Sequence, residues 1–203
     1  LNISIAGFDY GDFAMIMGFP GSTSRYLTAE EVKQRMYQKN EPRIAMRDLS
    51  LKVIREEMEK SEDINIKYAS KLARISNYWK NSIGMNKAII DNKVIETKLQ
   101  EEAAFKAWAQ SIGNSEYANV VEQINKCVDE MNRAQYLTML VNELVGNVEF
   151  FSRNLSDRNK NMFDTPEKVG EKMQSLYSWL HNRDYVHNID RRIAKELLPL
   201  YYK

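Results

Sequence analysis

The sequence predicts an all-α protein of long antiparallel helices, preceded by a short N-terminal β-hairpin. Two observations carry this prediction. Apolar residues recur at helical spacing from Thr28 to the last residues, with capping signals between the segments, and strand-like alternation is confined to about residues 1–22. The chain has 203 residues, 43% of them apolar, which is enough to bury one sizeable core. No fixed-period repeat is present, so a solenoid is not expected.

The first 22 residues read as two short strands joined by a turn. Ile3 and Ile5 alternate with polar residues, the turn follows at 9–12, and a second apolar strand runs into Gly18–Ser22. Two strands alone are marginally stable in water, so we expect this hairpin to belong to a sheet formed by other strands. Because the chain also starts at Leu1 without an initiator methionine, we expect an excised piece of a larger protein. The expected domains are a β-hairpin stub at 1–22 and a helical domain at 23–203, which need not end at Lys203.

The helices are predicted from their caps and their period. Thr28 and Glu31 form a capping box at the start of the first helix, and Pro42 fits the first turn of a second helix that ends near Lys60. Gly113 is the expected stop of the fourth helix. The other predicted helices, with a polar loop at 154–164, are 63–90, 93–111, 115–151, 165–182 and 188–202.

Composition excludes several classes of function. The 29 basic and 28 acidic residues leave a formal charge of +1 without a long run of like charges, which argues against nucleic acid as a partner. No apolar run approaches the roughly 20 residues that span a bilayer, so no membrane partner is expected. The lone Cys127 excludes an internal disulfide and a multi-cysteine metal site. We expect no cofactor and no metal, with Cys127 a small buried residue on an amphipathic helix formed by Val121, Ile124, Cys127, Val128 and Met131.

The third helix has two distinct faces. At about 100° per residue, an apolar face groups around Leu72, and a polar stripe lies opposite it. The apolar face predicts a core contact and contains Tyr68, Leu72, Ile75, Trp79, Ile83 and Ile90. The stripe consists of Arg74, Asn77 and Asn81. It is either a solvated surface or a set of amide carbonyls that face a ligand with hydrogen-bond donors.

Two motifs carry a resemblance to a known family. The segment 11–23 reads Gly-Asp-Phe-Ala-Met-Ile-Met-Gly-Phe-Pro-Gly-Ser-Thr, and 73–81 reads Ala-Arg-Ile-Ser-Asn-Tyr-Trp-Lys-Asn. Together they resemble the bacterial dipeptidyl-peptidases seven and eleven, which are serine peptidases of chymotrypsin-like fold with a helical insertion. The first motif is similar to the segment that leads from the first half-barrel into that insertion. The resemblance thus implies the helical domain of such a peptidase, with the hairpin as a stub of the catalytic barrel.

The resemblance implies that this chain is not itself catalytic. The family uses a Ser-His-Asp triad, of which the His and Asp would precede Leu1 and the Ser would follow Lys203. The only histidines here are His181 and His187, and although Asp184 and Asp190 lie near them, no glycine-flanked serine accompanies them. Whether to count the chain as an enzyme is therefore left open, since the parent is expected to be a serine-type dipeptidyl-peptidase.

The implied role is to cover the active-site cleft and bind the substrate's amino terminus. In the family an asparagine of the helical domain accepts hydrogen bonds from the substrate's α-ammonium group, and Asn77 is the first candidate here, Asn81 the second. Arg74 on the same face would repel an ammonium. The expected partners are a peptide amino terminus and the catalytic barrels of the parent, and a homodimer is left open. The family implies a periplasmic or cell-surface location, and cleavage after apolar or after acidic residues stays undecided.

A second interpretation is a free-standing helical module that docks a protein partner through aromatic side chains. Ten methionines and several aromatic residues could form an adaptable surface, although core packing explains them as well. The N-terminal hairpin discriminates, because an insertion must start from a strand and a free-standing module need not. The aromatic residues concerned are Tyr78, Trp108, Tyr177, Trp179, Tyr201 and Tyr202.

Overall fold

The computed structural model describes residues 7, 9–13, 15, 24–155, 165–181 and 184–202. Within these ranges the protein is all-α, as predicted. Eight α-helices and one π-helical segment follow each other along the described chain. They are α1 (Ala29–Gln34), the π-helix (Arg35–Asn40), α2 (Glu41–Met58), α3 (Glu62–Asp91), α4 (Val94–Ser111), α5 (Ser115–Asn147), α6 (Glu149–Leu155), α7 (Pro166–Leu180) and α8 (His187–Tyr201).

Three helix ends follow the predicted caps. The Thr28 side chain accepts a hydrogen bond from the Glu31 backbone N–H, and the Glu31 carboxylate accepts one from the Thr28 backbone N–H, which confirms the capping box. Gly113 has a φ of 71°, the left-handed conformation expected of a helix stop. Thr165 caps α7. These ends are set by side chains within one turn of each helix, which is why the sequence predicts them.

The first two predicted helices form one continuous helical segment, which corrects the separate start proposed at Pro42. The π-helix joins α1 to α2 directly, and the Glu41 backbone N–H bonds to the Met36 carbonyl. A proline inside an α-helix lacks the N–H for the i−4 carbonyl, and its ring crowds that carbonyl. The wider π turn just before buried Pro42 is how this segment accommodates the proline without a break.

The predicted fifth helix is interrupted, which corrects the continuous helix proposed to residue 151. α5 ends at Asn147, Val148 is extended, and α6 starts at Glu149. The carboxylate of Asp190, from α8, accepts hydrogen bonds from the backbone N–H groups of Glu149 at 2.7 Å and Phe150 at 3.0 Å. A side chain about 40 residues away in sequence thus caps α6.

The core lies where α2, α3, α8 and the last turns of α5 meet. α2 packs on α3, α5 and α8, and Arg192 of α8 also pairs with Glu56 and Glu57 of α2. At the other end, α4 packs against the first part of α5 and against α1. The buried apolar residues of the core are Met46, Leu51, Val53, Ile54, Tyr68, Ile75, Leu140, Leu144, Val148, Ile189, Ile193 and Leu197.

The N-terminal hairpin stays a prediction. The described residues between 7 and 15 form a turn, with the Asp12 backbone N–H 3.2 Å from the Asp9 carbonyl, and none of them lies in a strand. The rest of the proposed stub, including Gly18–Ser22, lies outside the described residues, as does most of the predicted polar loop at 154–164. The excised barrel proposed for this region therefore also remains an expectation.

Candidate functional site

Asn77 and Asn81 lie one turn apart on the exposed side of α3. Neither side-chain amide has a hydrogen-bond partner within the described part of the chain, so both carbonyl oxygens are available to a ligand. Arg74, one turn before Asn77, is exposed on the same side. The structure brings the three residues of the predicted stripe together on one surface, and their role stays a prediction.

The packed side of α3 follows a seven-residue repeat rather than the 3.6-residue period of the wheel. Tyr68 and Ile75 are buried, and Leu72 and Trp79 pack against the core, as predicted. Further along α3, the packed side includes buried Ser82 and half-buried Asn86, and it does not include the two isoleucines that were predicted to lie there. Ile83 and Ile90 are exposed, at 37% and 64%, which corrects their placement in the core. Two long helices that coil slightly around each other stay in contact at positions that repeat every 3.5 residues, so a wheel drawn with 3.6 residues per turn drifts away from the contact.

A line of polar contacts holds this part of α3 against α2 and the π-helix. The Asn40 amide donates to Asn86 Oδ1 at 2.7 Å, and Arg43 Nη1 donates to Ser82 Oγ at 3.4 Å. Arg47 Nη1 donates to the Ile75 carbonyl at 3.2 Å, and its guanidinium lies 5.0 Å from the centre of the Tyr78 ring. The side of α3 that carries Asn77 and Asn81 is therefore backed by a polar interface.

Glu143 of α5 forms ion pairs with both Arg43 and Arg47. Its carboxylate accepts from Arg43 Nε at 3.0 Å, from Arg47 Nε at 2.7 Å and from Arg47 Nη2 at 3.3 Å. Asn147 Nδ2, one turn along α5, donates to the same carboxylate at 2.9 Å. The side chain of Glu143 is only 6% exposed, against 24% for Arg43 and 14% for Arg47. We call Arg43, Arg47 and Glu143 the arginine–glutamate triad.

Sequence reasoning missed this triad. Two signals were present: a pair of arginines four residues apart on α2, and a glutamate directly before Leu144 in the apolar stretch of α5. Each pattern is common on solvated helices. The residues that pair are about 100 positions apart, so only the packing of α2 on α5 brings them together.

The two histidines do not form a catalytic group with the residues described. His181 is the C-cap of α7, and its Nδ1 lies 2.8 Å from the Tyr177 carbonyl oxygen, so that nitrogen carries the proton. His187 opens α8 and lines a mainly apolar pocket of about 250 Å³ between α6 and α8. Asp190 already caps α6 and also accepts from the Tyr185 hydroxyl at 3.4 Å. No hydroxyl nucleophile is positioned by either histidine among the hydrogen bonds of the described residues.

A second buried polar cluster surrounds Tyr68 at the other end of the core. The Tyr68 hydroxyl donates to the Glu149 carboxylate at 3.4 Å, and Lys71 Nζ pairs with the same carboxylate at 2.7 Å. Burial raises the pKa of Tyr68 well above its usual range, and the negative charges of Glu149 and Asp190 raise it further. Burial and Asp190 likewise raise the pKa of Tyr185 to about 12. Both phenols are therefore neutral hydrogen-bond donors at ordinary pH.

Most of the aromatic side chains considered for a docking surface are exposed. Tyr78, Trp108, Tyr177, Tyr201 and Tyr202 are on the surface, and Trp179 is half-buried. Cys127 is exposed too, as are Ile124 and Met131, which corrects the buried position proposed for the cysteine. Core packing, the simpler explanation, therefore does not hold for most of these aromatic residues.

The described ranges contain neither a membrane-spanning helix nor a cluster of metal ligands. No described helix combines the length and the apolar composition needed to cross a lipid bilayer. No three histidine, cysteine, aspartate or glutamate side chains of these ranges lie together in a way that could bind a metal ion.

Comparison with known proteins gives one family. The model of the family described as Peptidase S46 matches residues 1–201. The chain is 49% identical to dipeptidyl-peptidase 7 of Phocaeicola vulgatus over 208 residues, which cover 99% of this chain and 29% of that protein. It is 32% identical to the Asp/Glu-specific dipeptidyl-peptidase of Porphyromonas gingivalis over 209 residues, which cover 100% of this chain and 29% of that protein.

Solved structures give the same result. The crystal structure of DPP11 of Porphyromonas endodontalis in complex with the dipeptide Arg-Glu superimposes with a TM-score of 0.75 at 28% identity. The match covers 91% of this chain and 27% of that one. The chain thus spans 29% of the length of the curated relatives named above and 27% of this structural neighbour.

Proposed function

Because the chain belongs to the peptidase S46 family, we propose that it is the helical part of a serine-type dipeptidyl-peptidase and binds the amino terminus of the peptide substrate. In this proposal the chain covers the active-site cleft of the whole peptidase and does not itself cut peptides. The catalytic Ser-His-Asp residues and the catalytic barrels belong to the rest of the parent polypeptide. The whole protein acts in the periplasm or at the cell surface.

The observation that carries the proposal is the match to a dipeptide complex. A protein whose fold agrees over 91% of this chain has been solved with the dipeptide Arg-Glu bound. On this chain, Asn77 and Asn81 present unengaged amide oxygens from a helix whose neighbouring side is anchored by Arg43 and Arg47. Dipeptidyl-peptidases act two residues from a free amino terminus, so such an enzyme needs acceptors for the α-ammonium group.

The chemistry of the two asparagines suits this role. A protonated amine has three donors and one positive charge, and an amide oxygen accepts one of those donors without adding a charge. A hydrogen bond to a charged group contributes about 1.5–3 kcal/mol. Arg74 on the same side opposes an ammonium, so we propose that a carboxylate from the parent's other domains completes the site. The relatives include one named for Asp/Glu specificity and one that is not, and we propose no preference for this chain.

The test compares substrates with a free and a blocked amine in the full-length peptidase. We expect Asn77→Ala to lower kcat/KM for free-amine dipeptidyl substrates by about ten- to a hundred-and-fifty-fold relative to amino-blocked ones, from the loss of 1.5–3 kcal/mol. Asn77→Asp should keep binding, since a carboxylate accepts the same bonds. Asn81→Ala should show the loss only if Asn81 is the acceptor. Asn65→Ala, an exposed asparagine at the start of α3, is the matched control.

Two results would contradict the proposal. If neither Asn77→Ala nor Asn81→Ala changes the ratio between free and blocked substrates, the polar stripe is a solvated surface. If this chain alone hydrolyses dipeptidyl substrates after purification, and still does so with His181 and His187 replaced, its non-catalytic role is wrong.

A docking module is a second candidate, supported by the exposure of Tyr78, Trp108, Tyr177 and Tyr202. Under this reading these side chains, and not the asparagines, carry the function. Trp108→Ala and Tyr177→Ala would then change the association state of the full-length protein, as measured by sedimentation. An unchanged association state in both variants would remove this candidate.

A further inference from the structure

The arginine–glutamate triad holds α3 at three points that bracket the two candidate asparagines. Arg47 bonds the Ile75 carbonyl and lies over the Tyr78 ring, and Arg43 bonds the Ser82 hydroxyl. At about 100° per residue, the anchored positions 75, 78 and 82 lie roughly 110° around the helix from positions 77 and 81. The anchors therefore fix the height and rotation of this turn of α3 and leave Asn77 and Asn81 exposed.

Glu143 is the residue on which both anchors depend. It bonds each arginine through Nε, so it fixes the plane of both guanidinium groups, and Asn147 supports the carboxylate from one turn away. A paired guanidinium is far more directional than a lysine ammonium, because its donors form a rigid fork. Without the carboxylate, two partly buried positive charges would repel each other and turn toward solvent. Ser82, the Ile75 carbonyl and the Tyr78 ring would then lose their contacts with the arginines.

We propose that Glu143 is a positioning residue for recognition of the substrate amine and acts on Asn77 and Asn81 through Arg43 and Arg47. The proposal rests on the proposed function of the asparagines. It assigns a role to a buried glutamate on α5 that touches no substrate. Binding groups must be held within a fraction of an ångström of the productive geometry by neighbours that are themselves locked. The triad supplies this support from α2, which packs on both α3 and α5.

The test is a double-mutant cycle in the full-length peptidase. Glu143→Gln keeps the size and one acceptor oxygen but removes the charge. We expect it to lower the ratio of kcat/KM for free-amine over amino-blocked substrates by about tenfold, within the range known for misplaced binding groups. Arg47→Lys keeps the charge and loses the fork, so it should lower the ratio by a smaller factor. Combined with alanine at the functional asparagine, Glu143→Gln should cause no further fall in the ratio.

Asp91→Asn serves as the control, because Asp91 forms an exposed pair with Lys87 near the end of the same helix. It should leave the ratio unchanged. Hydrogen exchange of the full-length protein provides a readout that does not depend on activity: backbone amides of 75–82 should exchange faster in Glu143→Gln and Arg47→Lys, and at the original rate in Asn77→Ala. If Glu143→Gln does not fold, Arg47→Lys carries both measurements.

The outcomes separate this proposal from the one it rests on. If alanine at Asn77 or Asn81 changes the ratio and neither triad variant does, the asparagines bind the amine and the positioning role is wrong. If the triad variants change the ratio while both asparagine variants leave it unchanged, Glu143 acts by another route and both proposals fail. An equal fall for free and blocked substrates, or a further fall in the double variant, would make the role merely structural and overturn the proposal.

Discussion

The two ends of this molecule are held together in different ways. Around α2, α3 and α8, large apolar side chains such as Met46, Leu51, Ile54 and Leu197 are completely or almost completely buried. In the helical hairpin formed by α4 and the part of α5 that precedes Leu140, Ala109 is the only buried residue among these described helix residues. The end formed by α2, α3 and α8 thus has an apolar core, whereas the hairpin of α4 and α5 has no core of comparable size.

A polar seam lies along this part of α5 instead and joins it to α1. Asn125 and Asn132 lie seven residues apart at half-buried positions of α5, and half-buried Gln135 lies seven residues after Val128. The Gln34 amide of α1 donates to the Val128 carbonyl and to Asn132 Oδ1. Meanwhile several apolar side chains of the hairpin face solvent, among them Leu99, Trp108, Ile112, Ile124 and Met131. Apolar burial is the main source of stability in water, whereas a hydrogen bond exchanged for one with water contributes little. The comparison therefore predicts a stable core end and a less stable hairpin.

The largest effect is expected from a cavity in the core end. Leu51→Ala should lower the free energy of unfolding by about 2–5 kcal/mol, because Leu51 is completely buried between α2 and its neighbours. Leu99→Ala on exposed α4 is the matched control and should cost within about 0.5 kcal/mol. Urea denaturation followed by circular dichroism measures both. Equal losses would show that the hairpin is as firmly packed as the core.

The second largest effect is expected at the N-terminal cap of α6, which Asp190 forms directly after the end of α5. Asp190→Asn should cost about 1.5–3 kcal/mol, because the bonds from the Glu149 and Phe150 backbone N–H groups lose their charged acceptor. Asp48→Asn, an exposed aspartate on α2, is the control and should change little. If Asp190→Asn is equally neutral in thermal unfolding, the cap does not support the junction of α5 and α6.

The polar cluster in the core end should make stability fall at alkaline pH. An unfolded tyrosine loses its proton near pH 10, and the folded pKa values of Tyr68 and Tyr185 are raised above that. This contribution is complete below pH 10 and is lost as pH rises from there through the folded values, about 12 for Tyr185. Tyr68→Phe should make the fall shallower and cost about 0.5–1.5 kcal/mol at neutral pH. A fall that is unchanged in Tyr68→Phe would assign it to other groups.

The smallest effect is expected on the exposed side of the hairpin. Ile124→Gln should change the free energy of unfolding by no more than about 0.5 kcal/mol, because Ile124 faces solvent on α5. Val128→Gln on the seam side of the same helix is the comparison, and it should cost more. A loss of more than 1.5 kcal/mol in Ile124→Gln would mean that this side is covered in solution.

Local features could be predicted from the sequence because the residues that cause them are neighbours. The capping box at Thr28, the stop at Gly113 and the cap at Thr165 each depend on groups within one turn. The family could be predicted from two short motifs. The stripe of Arg74, Asn77 and Asn81 was also found, since helical spacing alone places these residues together.

Tertiary packing decided what no local pattern contains. Whether Pro42 starts a helix or lies within one depends on the π turn before it, and the end of α5 depends on Asp190, about 40 residues later. Ile83 and Ile124 were misplaced for one common reason. A helical wheel assigns the packed side to the most apolar residues. The contact between long helices instead repeats every 3.5 residues, and here it includes Ser82, Asn125 and Asn132. The sequence alone determined that the chain forms long helices and which residues cap them at Thr28, Gly113 and Thr165. The packing of α2 on α3 and α5 decided which sides meet and brought Glu143 to the two arginines.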